Sequence, residues 1–388
     1  DSFISSNLVL GSLSTILFAS IILLNSSYFI KLFNVEKKYL CIMFLIMLVS
    51  PAYDMFIDLQ RYKYKYRVVI VTTILYSLTS IGLSLLLVMT MEDKLLGRVL
   101  GNYIPYIIIS LVIYIYFLIK SSRIKIDYWK YSIVICIPYV FHLLSGTVLN
   151  SSDRAMITSI CGTEDTALYS MAYNIALIVN ILWGSMNSAF GPWLGEKLHE
   201  NNYCAIKKYT YYYLGIFTII ILGLILIAPE AMMFLGGKKY INAKYVIPPV
   251  MVGYYFIFVY SLYVNVEQFE KKTKAMAIAT FAAAIVNLVT NAIFLPSYGY
   301  LAASYTTLFC DMLLAVFHFI LVKQMKLDII YDTRYIVLVS LFVCAFSGIS
   351  LLLYIFNALR YIIVVFYIFG IVLLIIKHKK IILSFIHR

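Results

Sequence analysis

Apolar residues run along this chain in long stretches, each closed by a short polar interruption and then resumed. About 20 apolar residues are what a helix needs to cross a bilayer core, and runs this long do not read as strands. Setting runs against interruptions predicts twelve helices, near 8–30, 39–59, 68–89, 99–120, 131–150, 166–190, 209–228, 246–266, 275–296, 300–322, 334–356 and 359–377. The longest breaks between them are 191–208 and 229–245. Pro51, Pro105, Pro138, Pro192 and Pro248-Pro249 interrupt these runs, which lipid-spanning helices tolerate where freed backbone groups face protein or a cavity.

Composition turns the helices into membrane spans. Of 388 residues, 63% are hydrophobic and 13% charged, with a mean hydropathy of +0.92. A soluble chain carries about 25% charge, so this one could not cover its own surface with polar groups. Soluble, disordered and secreted disulfide classes are excluded, and the expected fold is all-α and polytopic. The net charge of +13 reads as loop bias rather than nucleic-acid binding. Roughly two-thirds of the basic residues fall in one alternating set of loops, 60–67, 120–130, 191–208, 267–274 and 323–334, and in the tail. That bias places the tail, and residue 1 by parity, in the cytoplasm. The six cysteines are scattered and form no C-x-x-C or Cys/His cluster, so they read as small apolar fillers. No P-loop and no secretory signal peptide is visible, and no cofactor is expected.

An internal repeat is legible. DLQRYKYKYR at 58–67 and VEQFEKKTK at 266–274 each join two helices across a basic turn, with Gln60 over Gln268 and Lys63 over Lys271, an offset of 208 residues. Each is followed by one helix, a short turn and a small-residue helix start, at Gly97 and at Gly299. Equal orientation of the copies makes this a parallel repeat about an axis along the bilayer normal. The second copy has two further helices ahead of it. The expected organisation is therefore an N-terminal half lacking its first two helices (1–127), a six-helix half (128–326) and a terminal helix pair with a basic cytoplasmic tail (327–388), fourteen spans in an intact chain.

Polar side chains at bilayer depth need a reason, because an ionisable one costs about 2.5–3.5 kcal/mol on insertion scales. Tyr169, Tyr173, Ala176, Asn180, Trp183 and Asn187 recur at steps of 4 and 3 and form one stripe of their helix. Such a stripe suits a wet cavity that grips sugar rings and hydroxyls; helix–helix hydrogen bonding is the alternative. Asp153-Arg154 follows the helix that carries Pro138, His142 and Ser145. A guanidinium in a half-apolar outer loop, held by the neighbouring carboxylate, fits a phosphate; a structural Asp153–Arg154 pair or an exposed loop charge is the alternative. Ser304, Thr307, Asp311 and His318 share a face of their helix, with Asp311 at mid-span as a site for a coupling ion or as a buried hydrogen-bonding partner. Asn287 and Asn291 are i,i+4 neighbours, and Asp54 and Asp58 sit within reach of Arg61.

These residues bring the chain close to a known family. The stretch 128–193, containing YWKYSIVICIPYVFHLLSGTVLNSSDRAMI and GTEDTALYSMAYNIALIVNILWGSMNSAFGPW, resembles the Wzx-type polysaccharide repeat-unit flippases of the MOP (multidrug/oligosaccharidyl-lipid/polysaccharide) exporter superfamily. QFEKKTK, the Asn-bearing helix after it and LPSYGYLAAS extend the likeness. The resemblance implies export of an undecaprenyl-pyrophosphate-linked oligosaccharide across the bacterial cytoplasmic membrane for O-antigen, capsule or exopolysaccharide synthesis, by alternating access on a Na⁺ or H⁺ gradient. It implies no enzymatic activity, and partners in the bilayer and in the polysaccharide polymerase and chain-length machinery. Arg154 matches the family's Asp-Arg element. On this reading Arg154, His142, Tyr169, Tyr173, Asn180, Trp183, Asn187, Asn287 and Asn291 handle substrate, and Asp311 and His318 couple the ion.

Two other classes share this composition. A MATE-type cation-coupled drug antiporter has the same fold and favours acidic and aromatic cavity residues over Arg. A membrane glycan polymerase would need a sizeable outer loop, and 229–245 is the longest outer loop here.

Overall fold

The computed structural model describes residues 2–33, 35–121 and 123–386. Arg388, counted in the basic tail, lies outside them, as do the side chains of Asn150, Lys379 and Lys380. No strand occurs among the described residues. The helices are α1 (Ser2–Leu24), α2 (Ser26–Phe33), α3 (Lys37–Tyr62), α4 (Tyr66–Thr90), α5 (Lys94–Lys120), α6 (Ile126–Ile160) and α7 (Thr163–His199). They continue with α8 (Tyr203–Leu226), α9 (Ala228–Gly236), α10 (Ile247–Phe269), α11 (Thr273–Tyr298), α12 (Tyr300–Gln324), α13 (Thr333–Leu353) and α14 (Asn357–Ile386). All but α2 and α9 are long and apolar enough to cross a membrane, which makes twelve spans. The chain is a multi-pass membrane protein.

Three sequence expectations need correction. The polar segment around Arg154 is no loop: α6 runs 35 residues and α7 37, separated only by Cys161 and Gly162. The break 229–245 folds into α9 and a 3-10 turn, Lys238–Val246. Pro248 and Pro249 do not interrupt a helix but open α10, where a missing N–H costs nothing.

The basic turns close their helices in one repeated way. Tyr64, Asn201, Lys271 and Lys326 each adopt a left-handed φ of 54–59°. The next amide then reaches back across the helix end: Lys65 to the Gln60 carbonyl, Asn202 to Lys197, Lys272 to Glu267 and Leu327 to Val322, at 2.9–3.1 Å. This is the six-to-one closure that satisfies orphan carbonyls. It equates Gln60 with Glu267 and Tyr64 with Lys271, an offset of 207 at the turn rather than 208. The matched glycines differ more. Gly97 is helical, and a Cβ there would lie 2.8 Å from the Leu87 carbonyl oxygen of α4, whereas Gly299 is a left-handed cap at φ +65°.

By contacts the chain divides into two compact units, Asp1–Cys136 and Ile137–Arg388, the division falling within α6. In the first unit, small residues let α5 approach α4 closely at Gly97 and Gly101. The Trp129 indole at the start of α6 donates to the Ser6 carbonyl of α1 at 2.7 Å. Asp93 caps α5 by accepting from the Leu96 amide at 2.9 Å. It also accepts from Lys38 at 2.7 Å, and that ammonium holds its carboxyl below the ordinary range.

In the second unit α10 is the hub. Its apolar residues run around the whole circumference, the pattern of a helix buried on every side. Nearly all of them are buried, against α7, α8, α12 and α13. The terminal helix α14 is its opposite, mostly exposed apolar side chain, and is held by a few polar anchors. Arg360 is fully buried and grips Glu230 of α9 through two bonds of 2.6 Å. It also donates to the Leu226 carbonyl at 2.9 Å.

Candidate functional site

Four of the polar side chains singled out in the sequence, Tyr169, Asn287, Asn291 and Thr307, meet in the second unit around Asp153 of α6. Its carboxylate accepts from Tyr169 Oη of α7 at 2.8 Å, from Asn291 Nδ2 of α11 at 2.7 Å and from Thr307 Oγ1 of α12 at 2.6 Å. Around these donors the network closes on itself. Asn291 Nδ2 also donates to Asn287 Oδ1, Asn287 Nδ2 donates to Thr307 Oγ1 at 3.2 Å, and Thr306 donates to Asn291 Oδ1. Ser152 Oγ reaches Asn287 Oδ1 at 3.2 Å. Asn287 and Asn291 work together because residues four apart share a helix face. Four helices thus meet at one anion in a region where an unpaired charge costs several kcal/mol.

Arg154 is not part of that cage. Successive helical residues point about 100° apart, so Asp153 faces α11 and α12 while Arg154 faces α7. No salt bridge joins the two among the described residues, which corrects both sequence readings that had the carboxylate holding the guanidinium. Arg154 is instead laid over the Tyr173 ring, 5.0 Å from its centroid, with its Nε buried and unbonded. The charge of this side chain is therefore not cancelled by an ion pair, and its geometry is fixed by stacking.

The Tyr/Asn/Trp stripe divides. Tyr169 is fully buried and spends its hydroxyl on Asp153. Trp183 donates to Ser261 Oγ of α10 at 3.2 Å, and Asn187 Oδ1 accepts from Asn265 at 2.8 Å. For these three the helix–helix alternative describes the contacts. Tyr173 carries Arg154, and Asn180 is half-buried with no hydrogen bond among the described residues.

Along α12, Asp311 lies one turn beyond Thr307. It is buried, has no hydrogen-bond donor among the described residues, and rests its Oδ2 against Gly253 of α10, 2.7 Å from where a Cβ would stand. His318, two turns further, is fully buried against Glu267 of α10, with Nδ1 2.9 Å from Oε1 and 3.1 Å from Oε2. His142 of α6 bonds Thr280 Oγ1 of α11 at 2.6 Å, its ring 6.3 Å from that of His318. Sequence reasoning missed Glu267 by ending the helix at 266 and reading VEQFEKKTK as a turn. A signal was present: Tyr260, Tyr263 and Glu267 recur at steps of 3 and 4, one more turn of a helical face.

In the first unit Asp58 pairs with Arg61 at 3.1 Å, while Asp54 accepts from Tyr106 Oη at 3.3 Å. Both line a cavity of about 430 Å³ with Tyr53, Tyr76 and Arg61.

Chemically, the Asp153 cage is a hydrogen-bond network of carboxylate, amide and hydroxyl groups in which N–H and O–H donors face the carboxylate. No group of three His, Cys, Asp or Glu side chains converges as metal ligands among the described residues. Arg154 on Tyr173 presents a fork to an anion.

A polytopic bundle of apolar helices with a polar cage inside one half is the architecture of the MOP exporter superfamily, and comparison with known proteins agrees. A family profile described as polysaccharide biosynthesis protein matches residues 1–198, and the MatE profile matches residues 138–293. The first match covers more than half of the chain, which belongs to this family of polysaccharide biosynthesis proteins. An uncharacterized membrane protein of Haemophilus influenzae is 22% identical over 242 residues, 58% of this chain. The match spans 60% of the length of that curated relative. Among solved structures, a MOP superfamily transporter from Pyrococcus furiosus superposes with a TM-score of 0.68 at 13% identity, over 85% of this chain and 79% of its own. The lipid II flippase MurJ, in an inward closed conformation, superposes with a TM-score of 0.57 at 16% identity, over 98% and 84%. At these identities the likeness is one of fold.

Proposed function

We propose that this protein is a flippase that moves polyprenyl-pyrophosphate-linked oligosaccharide units across the bacterial cytoplasmic membrane, without covalent chemistry, by alternating access on a Na⁺ or H⁺ gradient. The observation that carries the reading is Arg154, a cation inside a spanning helix, stacked on Tyr173 and without a salt bridge among the described residues. A guanidinium so held offers parallel hydrogen bonds to a pyrophosphate while the lipid tail stays in hydrocarbon. The family description and the fold shared with a lipid II flippase support the same substrate class. The gradient would act on the buried Asp311 and His318, where a bound ion or proton offsets or adds charge. O-antigen, capsule or exopolysaccharide assembly is the setting for such a unit, with the polymerase and chain-length machinery downstream and the C-terminus in the cytoplasm.

The test is surface polysaccharide in a flippase-null strain supplied with the full-length gene. Arg154→Ala lowers it roughly tenfold or more, the effect of one charge-assisted contact, and Arg154→Lys retains part of it. Undiminished polysaccharide in Arg154→Ala overturns the reading. A cation-coupled drug antiporter is the second reading, favoured by the MatE match over residues 138–293. It predicts drug efflux that Arg154→Ala leaves intact and Asp311→Asn abolishes.

A further inference from the structure

Glu267 and His318 are both fully buried and paired with each other, on α10 and α12. Two observations make them more than a structural pair. The imidazole Nε2 is sealed from solvent and has no hydrogen-bond partner among the described residues. A second imidazole, His142 of α6, stands 6.3 Å away, nearly perpendicular. The groups facing the pair can be named element by element. From α6 come His142 and Tyr139, whose rings lie 5.5 Å apart. From α10 comes Tyr260, its ring 5.4 Å from His318, and from α11 the uncharged Thr280, which holds His142 Nδ1. From α12 comes Asp311, two turns along. No Lys or Arg forms a salt bridge to Glu267 among the described residues, so the imidazole is the only group placed to balance its charge.

A carboxylate and an imidazole closed off together are electrically neutral only when they share one added proton. Without it the site holds a bare anion, and with a second it holds a bare cation; each is a net charge that burial penalises by several kcal/mol. Neutral imidazole and carboxylate donors do not make a sodium cage, and the two histidines and Glu267 do not converge as metal ligands.

We propose that Glu267 and His318 form a proton-carrying site: the pair takes up one proton when α10 and α12 expose it, and carries that proton sealed between them. The proton is shared between Glu267 Oε1 and His318 Nδ1, beside the second imidazole of His142. Glu267 is the last acidic residue of α10 before the basic turn at 270–272, so a short opening of that helix end connects the pair to water. The inference deepens the ion-coupled reading above, on which it rests, by naming the proton and the residues that hold it.

The experiment is an infrared titration of the full chain in lipid nanodiscs, from about pH 4 to about pH 9, with no glycan present. In the wild-type-minus-Glu267→Gln difference, a carboxyl band and an imidazole band change at one shared midpoint. His318→Gln moves the carboxyl midpoint by more than about one pH unit, the size of a lost opposite charge nearby. Separate midpoints, no change across the range, or an unmoved midpoint in His318→Gln overturns the proposal. If Glu267→Gln does not fold, the wild-type-minus-His318→Gln difference decides by the same criterion. Joint titration together with undiminished polysaccharide in Arg154→Ala would sink the flippase reading and leave this site standing; the reverse pattern would sink this site alone.

Discussion

Asp153 and Asp311 are the same side chain, 1% and 3% exposed; the first meets α12 at Thr307, and the second stands on α12 one turn further along. Their surroundings are opposite. Asp153 accepts hydrogen bonds from three helices, whereas Asp311 meets no donor and presses on Gly253. Burial alone therefore does not say what a membrane carboxylate is for. The first is built into the fold by donors that would be stranded without it. The second has no hydrogen-bond donor among the described residues, so the donors that explain the first do not explain it.

That contrast can be broken by mutation, with the largest effect at Asp153. Asp153→Leu removes the acceptor from Tyr169, Asn291 and Thr307 and leaves three buried donors unsatisfied. The expected loss is on the order of 3–5 kcal/mol, read as a collapsed melting temperature in detergent or as absence of folded protein. A near-native melt would show that the cage is not structural. Next is Gly253→Ala, whose Cβ meets Asp311 Oδ2 at 2.7 Å. Overpacking of this kind costs about 1–3 kcal/mol. The cost should vanish in the Asp311→Ser background, a double-mutant cycle that isolates the contact; additive losses would mean that Gly253 fits for another reason.

Smaller effects test whether water access is what separates carboxylates in this chain. Asp332 caps α13 outside the membrane, accepting from the Tyr335 amide at 3.2 Å and from Tyr211 Oη. The Tyr211 hydroxyl holds its carboxyl below the ordinary range. A carboxyl lowered in the folded state adds stability above its unfolded pKa, about 3.9, and loses it as pH falls through the folded value. Asp332→Ala should cost about 1 kcal/mol at neutral pH, with the difference from wild type closing below about pH 4 in a melting series. A gap that persists in acid would point to packing instead. Smallest is Asp311→Asn, expected within about 0.5 kcal/mol of wild type in the same melts, since no donor loses its acceptor. A large destabilisation there would erase the distinction drawn between the two aspartates.

Much of the fold was legible in residue order. All twelve spans were found because a run of apolar residues is a local property, and the bilayer fixes its length. The ends of α6 and α7 were misjudged for the same reason. Asn150-Ser-Ser-Asp153-Arg154 breaks the apolar run, and a polar interruption was read as a loop. The helix continues through it because Ser152 and Asp153 find partners on α7, α11 and α12. Glu267 was overlooked in the mirror-image way, since its charge was counted with the turn when the helix ran one turn further.

The order of residues thus determined the class of protein, the number of spans and the short list of polar side chains that lipid alone would not tolerate. It also placed Asn287 beside Asn291, because helical spacing brings them together whatever the rest does. Tertiary structure decided which of those side chains meet. Asp153 is 138 residues from Asn291 and 154 from Thr307, and only the rotation of each packed helix turns one toward the other. The same rotation sends Arg154, one residue on, away from its neighbour and onto Tyr173.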